Sequence, residues 1–294
     1  MRILCLVGFL MIHSISLFSQ AAFLNRNSDM YYILDRYDVL SGRLSDTLQT
    51  ALNPLSQKDA VRFLETYANT HKSTLSKIEQ WEINNFISKN GEWGSNGDAT
   101  KDSKYPIFKT IYAKQPNFYS LTTKDYSIVM NPIIYYQQSL ESKNTKQNLF
   151  VNTKGIEVRG NIGKRVGFYT MFSDNQERGP WSHQYYVSSH QAVPGVTYFK
   201  PFKPGEKAGI AQDYLVASGY VDACFLKEKL NVTFGNSRFQ LGDGYRSLFL
   251  SDFGSNYNFL RLNTRLGRFN YQNLFLELTP QYVLGADQVL PRKY

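Results

Sequence analysis

Cysteine is nearly absent from this chain, and its absence excludes several classes of protein. Only two of the 294 residues are cysteines. Cys5 lies in an apolar run at the N-terminus and Cys224 stands alone, so a processed chain has no disulfide to make and no Cys-x-x-Cys metal or redox site. We expect Cys224 to be a small buried or lipid-facing residue, because an isolated cysteine packs as a small hydrophobe.

Charged residues and long apolar stretches are also scarce. Asp, Glu, Lys and Arg make up 19% of the chain, below the roughly 25% usual for soluble globular domains. The mean hydropathy is −0.39, which excludes a helical membrane protein, whose spans need about 20 consecutive apolar residues each. Aromatic residues reach 15%, which excludes a disordered chain. A composition this rich in Tyr and Phe and this poor in charge predicts extensive β-structure.

The N-terminus predicts export. A short positive start precedes an apolar run at 3–18, and the small residues Ser19 and Ala21 follow it. This order is typical of a secretory signal peptide, which we assign to residues 1–21. The formal net charge of +9 then points to an anionic polysaccharide or lipid surface, and not to nucleic acid, which exported proteins seldom meet.

Residues 22–104, the N-terminal region, are predicted to be helical and periplasmic and to end in a turn-rich polar linker at 90–104. Within 28–89, apolar residues recur at helical spacing, and Ser56 is placed to cap one helix. Such apolar faces predict a small helical bundle. The residues assigned to them are Ile33, Leu34, Tyr37, Ala60, Phe63, Leu64, Tyr67, Leu75, Ile78 and Trp81.

From about residue 125, apolar and polar residues alternate. Ile156, Val158 and Ile162 share one face of a segment whose other face carries Glu157 and Arg159. Alternation with a period of two predicts strands with one apolar and one polar face. The predicted strands are 125–139, 153–162, 165–174, 213–226, 230–239, 257–266 and 269–281. The stretch 105–119 could form a further strand, although its pattern is poor.

The links between these strands favour a membrane barrel. Links of two or three residues at 163–164, 227–229 and 267–268 alternate with long links, which lie at 140–152, 175–212 and 240–256. Outer-membrane barrels combine short periplasmic turns with longer extracellular loops, and a wet lumen suits charged faces better than a packed sandwich core does. We therefore predict a mainly β protein in which residues 105–294 form the N-terminal part of an antiparallel transmembrane β-barrel. A periplasmic β domain is the alternative.

The number of strands adds an expectation about the length of the protein. Seven strands that start from the periplasm leave the chain outside the cell after residue 281. A closed bacterial barrel normally has an even number of strands and both ends in the periplasm. The chain is therefore expected to be an N-terminal fragment of a longer protein, although a span at 105–119 would change this parity.

The segment 239–253, Phe-Gln-Leu-Gly-Asp-Gly-Tyr-Arg-Ser-Leu-Phe-Leu-Ser-Asp-Phe, and the stretch 258–262 that follows it resemble a known family. It is the capsule assembly Wzi-like family of Bacteroidetes outer-membrane barrels, which includes gliding-motility proteins. The start of the N-terminal region is similar as well. The resemblance implies a bacterial outer-membrane barrel that attaches or assembles surface polysaccharide in a lectin-like, non-enzymatic way, or that serves gliding motility. The motif residues are Gly242, Asp243, Gly244, Tyr245, Arg246, Ser247, Ser251 and Asp252.

Two further groups of residues are candidates for binding. The long link at 175–212 carries aromatic and cationic side chains that could grip an acidic glycan, through flat faces and through charge pairing; the same aromatics could instead pack the link or mark the membrane interface. These are Trp181, Tyr185, Tyr186, Tyr198, Arg178, Lys200 and Lys203. Charged residues expected to face the lumen could line a passage or cross-brace the wall. They are Glu157, Arg159, Asp222, Arg261 and Arg265.

Other classes of protein fit the sequence less well. His183 and His190 occur near several serines, but they share one link without the strained elbow of a nucleophile. We therefore predict no catalytic residue, metal or cofactor. A passive channel or solute transporter is a further alternative. The predicted partners are outer-membrane lipid, its assembly machinery and an acidic surface polysaccharide.

Overall fold

The computed structural model describes residues 22–278, except 26–27, 44, 96–97, 109, 124, 143–146, 164–165, 197, 204, 206, 208, 227–228, 243, 245–246 and 268. The described chain is mainly antiparallel β-structure with few helices, and its one large sheet is not closed. The predicted signal peptide at 1–21 lies outside the described residues. Within the described part of the chain, no helix has both the length and the apolar character needed to cross a membrane.

Three helices form the predicted bundle: α1 (Met30–Ser41), α2 (Gln57–Thr70) and α3 (Lys77–Lys89). Ser56 caps α2, as predicted, since its hydroxyl accepts a hydrogen bond from the backbone N–H of Asp59 at 3.3 Å. Ser76 and Glu79 form a reciprocal capping box at the start of α3. A short 3₁₀ helix, Gly91–Trp93, follows.

The helices share an apolar core of their own. It contains Leu34, Tyr37, Phe63, Leu64, Tyr67, Ile83 and Phe86, together with Leu24, Leu48 and Leu55. The prediction for α3 was wrong, because Ile78 and Trp81 are exposed and Ile83 and Phe86 are buried. Leu75 precedes the cap of this helix, so the three-residue spacing that includes it is not a helical stripe.

The strands agree closely with the predicted ones. The long strands are β4 (Tyr126–Ser139), β5 (Leu149–Ile162), β6 (Val166–Arg178), β8 (Gln212–Phe225), β9 (Leu230–Ser237), β11 (Tyr257–Leu266) and β12 (Phe269–Glu277). The stretch 105–119 contributes to an edge hairpin, β2 (Ile111–Lys114) and β3 (Asn117–Thr122). The short strands are β1 (Leu52–Asn53), β7 (Lys200–Pro201) and β10 (Gln240–Leu241).

The large sheet runs in the order β2, β3, β4, β5, β6, β8, β9, β11, β12, and β7 pairs with β8. Consecutive long strands are antiparallel neighbours, so the long links all lie at one end of the sheet and the short links at the other. We call these the long-link end and the short-link end. β1 and β10 form a separate two-stranded sheet that ties the N-terminal region to the long link between β9 and β11.

One face of the large sheet, the apolar face, presents large hydrophobic side chains to the surroundings. The register aligns one apolar row across seven strands, interrupted only by a glycine on β5. Its members are Ile128, Gly160, Phe168, Val221, Phe234, Leu260 and Phe275. Val221 and Phe234 are 51% and 65% exposed, and Ile156, Phe172 and Leu215 on the same face are exposed as well.

The opposite face, the polar face, is covered by the N-terminal region. Phe23 packs its ring 4.7 Å from that of Tyr220 on β8, and the backbone N–H of Phe23 donates to the Tyr220 hydroxyl at 2.6 Å. Phe239, Tyr257 and Phe259 complete this apolar contact. Three charged residues of the polar face, Arg159, Asp222 and Arg261, are buried.

Candidate functional site

The link at 179–211, the α4 segment, folds over the long-link end of the sheet. It contains a helix, α4 (Trp181–His190), whereas the sequence pattern predicts a loop there. Val187, Val193 and Val196 form a small buried cluster with Phe199 and Tyr214 packed against it. The segment therefore has its own core, and α4 is held at a fixed place above the strands.

The α4 segment is also tied down by polar contacts. His183 Nε2 lies 3.2 Å from a carboxylate oxygen of Glu177 on β6 and 3.3 Å from Oε1 of Gln212 on β8. The hydrogen bond with Glu177 raises the pKa of His183 above its ordinary value, although burial of the ring opposes this. The backbone N–H of Trp181 donates to the carboxylate of Glu141 across the neighbouring link.

Two of the predicted glycan-binding aromatics form one exposed platform. The rings of Trp181 and Tyr185 stack at a centroid distance of 5.4 Å and an interplanar angle of 19°. Each residue is 62% exposed, and Tyr198 in the same segment is also exposed. Tyr186 differs, because it stacks on His190 at 4.2 Å and meets Phe253 edge-on at 6.1 Å. The structure thus separates an open pair of rings from a packed one.

The predicted cations occupy different surroundings. Lys200 is exposed and lies 3.6 Å from Asp213, and Lys203 is exposed beside the ring of Phe202. Arg178 was predicted to lie in the link, which is wrong, because it is the last residue of β6. Its guanidinium sits 5.7 Å from the ring centre of Phe150. The polar residues 175–178 continue the β-ladder with β5, so β6 is longer than its apolar pattern indicated.

The motif segment, residues 239–253, contacts the N-terminal region through Gly242 and the α4 segment through the edge-on contact of Phe253 with Tyr186. Gly242, at a φ of 106°, donates its backbone N–H to the carbonyl of Ala51 at 2.7 Å. The Gly244 carbonyl accepts from Gln240, and Ser247 donates to the carbonyl of Leu241. Asp252 accepts from Arg238 through its backbone carbonyl at 3.2 Å, and the hydroxyl of the neighbouring Ser251 accepts from the N–H of Phe253. Asp243, Tyr245 and Arg246 lie outside the described residues.

The residues predicted to face a lumen have partners that no sequence pattern indicates. Arg159 on β5 places Nε 2.6 Å from Glu92 in the N-terminal region and Nη1 3.3 Å from Glu157. Its Nη2 donates to Asn117 at 3.4 Å. No sequence pattern joins Arg159 to Glu92, because the two are 67 residues apart and Glu92 falls in the predicted polar linker.

Other charged residues of the polar face also contact partners on the sheet or in the N-terminal region. Asp222 is buried and accepts two hydrogen bonds from Asn231 and one from Thr233. Arg265 approaches Asp59 on α2 at 3.5 Å, and Arg261 lies 5.3 Å from the centre of the Phe23 ring. Burial raises the pKa of Asp59, although Arg265 and other nearby cations oppose this. These contacts fix the N-terminal region on the sheet.

Two cavities lie at this interface, on either side of the segment 22–25. The larger has a volume of about 320 Å³, and its lining includes Lys89, Asn131, Glu157, Arg159 and Tyr169. The smaller, of about 120 Å³, lies towards the long-link end beside Arg238. No group of three or more His, Cys, Asp or Glu side chains in the described residues is placed to hold a metal ion.

No protein-family model, no curated protein and no solved structure matches this chain. The resemblance to the Wzi-like family therefore rests on the residues at 239–253 and 258–262 and on the start of the N-terminal region. Within that motif, the structure describes the glycines, the serines and Asp252, and Gly242 links the motif to the N-terminal region through its hydrogen bond to Ala51.

Proposed function

We propose that this chain forms part of the wall of an outer-membrane β-barrel that attaches or assembles acidic surface polysaccharide without catalysing a reaction. The observation that carries the membrane part is the apolar row that crosses seven strands, from Ile128 to Phe275, and in which Val221, Phe234 and Phe275 are exposed. Monomeric soluble proteins seldom expose contiguous apolar patches larger than about 300–600 Å². An outward apolar band on tilted antiparallel strands is the surface that lipid requires.

In this proposal the polar face is the lumen side of the wall, and the N-terminal region enters it from the periplasm. The ion pair between Arg159 and Glu92 and the packing of Phe23 on Tyr220 support this placement. An N-terminal region that covers the polar face in this way disfavours a passive open channel. The lipid, the barrel-assembly machinery of the outer membrane and the polysaccharide are the proposed partners.

The polysaccharide part is supported by the platform of Trp181 and Tyr185. Stacked, exposed rings offer flat faces to the C–H groups of sugars, and they stand on a helix held by Val187 and His183. The exposed amines of Lys200 and Lys203 lie in the same segment and can pair with glycan carboxylates. A rigid aromatic platform loses little conformational entropy when it binds.

The experiment replaces both rings in the full-length protein. The double variant Trp181→Ala/Tyr185→Ala should leave the fold intact, since both side chains are exposed, and it should release polysaccharide from the cell surface into the medium. The affinity of the purified protein for an acidic polysaccharide should fall about tenfold or more. Tyr136→Ala, an exposed aromatic on β4 at the same end of the sheet, is the control and should keep wild-type retention.

The outcomes separate the two roles that the family resemblance implies. Normal retention of polysaccharide by a correctly assembled double variant would exclude the lectin role. If the same variant lost gliding while it kept its polysaccharide, a role in the gliding-motility surface machinery would take its place.

A further inference from the structure

A hairpin lies at the edge of the large sheet beside β2, and we call it the edge tongue (residues 102–108 and 110–114). Its outer arm runs antiparallel to β2. The backbone N–H of Ser103 donates to the carbonyl of Ala113 at 2.9 Å, and Ile107 and Ile111 exchange backbone hydrogen bonds at 2.8 and 2.9 Å. The candidate sites described above do not include this hairpin.

The tip of the edge tongue points to the short-link end of the sheet. β3 ends there, because Thr122 pairs with Ser127 beside the start of β4. β2 runs antiparallel to β3, so its first residue, Ile111, is the one nearer to the short-link end. The tip precedes Ile111 and therefore extends towards that end, which the proposed topology places at the periplasmic leaflet of the membrane.

The tip carries large apolar side chains that the described part of the chain leaves uncovered. Tyr105 and Phe108 are 87% and 85% exposed, and Ile107 is 50% exposed. Single exposed apolar residues are ordinary on a protein surface, whereas a group of them marks a site of interaction. Three such side chains within four residues form a group of this kind.

The backbone at the tip is strained, and packing within the chain does little to offset the strain. Phe108 has a φ of 49°, in the left-handed region that bulky residues rarely adopt. Glycine or asparagine would adopt this conformation at a lower cost. Because the ring of Phe108 is almost fully exposed, its burial in the described chain contributes little stability. A contact outside the described residues accounts for an exposed ring on a strained backbone.

The apolar face of the sheet continues to the hairpin that the tongue adjoins. Leu121 of β3 pairs directly with Ile128 of β4, so the apolar row extends by one strand to the edge of the sheet. Leu121 is 38% exposed. The tip of the tongue therefore lies at the same end of the wall as the part of the apolar face that is proposed to meet lipid.

The charge of the tongue suits the headgroups of phospholipids. Residues 101–114 contain four lysines and one aspartate. That aspartate, Asp102, is paired with Lys114 at 2.9 Å, whereas Lys104 is exposed close to the tip. Aromatic rings with neighbouring lysines are typical of the membrane–water interface, where the amines extend to the phosphates of the headgroups.

We propose that the edge tongue inserts Tyr105, Ile107 and Phe108 into the periplasmic leaflet of the outer membrane, at the level of the phospholipid headgroups. Lys104 lies beside the headgroup phosphates, and the contact anchors the edge of the wall in the leaflet. The inference rests on the membrane placement of the sheet under the proposed function, and it adds one specific lipid contact to that placement.

Quenching of a fluorophore by spin-labelled lipid tests this contact. The full-length variant Phe108→Cys is labelled with an environment-sensitive fluorophore and reconstituted into phospholipid vesicles. A nitroxide near the lipid headgroup should quench it about twofold or more strongly than a nitroxide at the end of the acyl chain. Phe234→Cys, on the apolar face, is the positive control, and Asn84→Cys, on the exposed side of α3, is the negative control.

The outcomes separate this inference from the proposed function. Quenching at residue 234 without quenching at residue 108 would leave the wall in the membrane and overturn the lipid contact of the tongue, which would then meet a protein partner. Quenching at neither residue would exclude the membrane placement, and this inference with it. Stronger quenching of residue 108 by the deep nitroxide would overturn the contact with the headgroups.

The variant Phe108→Asn provides a second test. Asparagine adopts left-handed backbone more readily than phenylalanine does, so without a lipid contact this variant should assemble into vesicles as well as the wild type or better. With the contact, the assembled fraction should fall about twofold or more, because the membrane interface loses an aromatic ring. Tyr32→Asn, which removes a 71% exposed ring from α1, is the control and should assemble normally. An undiminished yield for Phe108→Asn would overturn the proposal.

Discussion

Arg159 on β5 and Glu92 in the 3₁₀ helix form an ion pair in which Nε lies 2.6 Å from Oε1 and both side chains are nearly buried. The pair joins the polar face of the sheet to the N-terminal region. Two charges removed from water are costly, and their attraction compensates only when the geometry is good and other partners are present. Glu157 and Asn117 supply those partners to Arg159, and the pair joins the two parts of the chain as the pair of Arg265 and Asp59 also does.

The first prediction concerns this pair. Arg159→Met should lower the free energy of unfolding by about 3–5 kcal/mol, because it leaves Glu92 buried without its counter-charge. Lys154→Met, on the other face of the same strand and exposed, should change it by less than about 0.5 kcal/mol. Urea unfolding of the full-length protein in detergent gives both values. A loss for Arg159→Met no larger than for Lys154→Met would mean that the N-terminal region does not depend on the pair.

The second prediction tests the apolar face. In water, an arginine at the exposed Val221 or Phe234 would be tolerated, whereas at the midplane of a bilayer it costs about 2–4 kcal/mol. Val221→Arg and Phe234→Arg should therefore reduce the amount of protein assembled in the outer membrane. Gln138→Arg, exposed near the long-link end of β4, should assemble normally. If all three variants assembled equally well, a periplasmic β domain would be the better account.

Asp222 is not a useful comparison for Val221, although the two are neighbours. The alternation alone placed Asp222 on a wet lumen face, where substitution would be mild. In the structure Asp222 is 1% exposed and holds Asn231 and Thr233. A substitution such as Asp222→Arg would therefore damage the fold for a reason unrelated to lipid.

The third prediction tests which end of the sheet faces the outside of the cell. Lys207 lies at the long-link end and Lys229 at the short-link end, and both are exposed. In intact cells, Lys207→Cys should react with a thiol reagent that cannot cross the outer membrane. Lys229→Cys should react only after the membrane is opened. The native Cys224 is fully buried and should stay silent throughout. Labelling of Lys229→Cys alone in intact cells would invert the proposed topology.

The fourth prediction uses the pair of His183 and Glu177. The hydrogen bond with Glu177 raises the pKa of His183 in the folded protein. The stability that the pair contributes is therefore fully present below about pH 6.5, the ordinary pKa of histidine. This contribution is lost as the pH rises through the raised pKa of His183 in the folded protein. The α4 segment should be held more firmly at pH 6 than at pH 8.

Limited trypsin cleavage in the α4 segment measures this effect, because Lys203 and Lys207 are exposed there. At pH 6 the wild type should be cleaved more slowly than His183→Gln, and the difference should shrink by pH 8. His190→Gln, whose ring stacks on Tyr186 instead, should behave as the wild type at both values. A ratio of wild-type to His183→Gln rates that did not change with pH would show that the pair does not hold the segment.

The strands were predictable because alternation is a local property. Residues 213–226 show which side chains share a face whatever the rest of the chain does, since successive side chains in a strand point to opposite sides. The capped start of α2 at Ser56 is local in the same sense. The helix α4 was not predicted, because Trp181, Tyr185 and Tyr186 do not form an apolar stripe. It is held instead by contacts outside the helix, among them those of His183 with Gln212 and of the Val187 cluster with Tyr214.

The sequence by itself determined the antiparallel strands, their order of long and short links and the division of each strand into an apolar and a polar face. Only the tertiary structure decided what covers the polar face. The sequence pattern around a charged residue such as Arg159 or Arg265 is the same whether its side chain contacts water or a protein partner. Whether that side chain is buried depends on residues far away in the chain. Glu92 becomes the neighbour of Arg159, and Asp59 that of Arg265, only because the N-terminal region packs on the sheet. Long-range pairing of this kind leaves no periodic trace in the sequence.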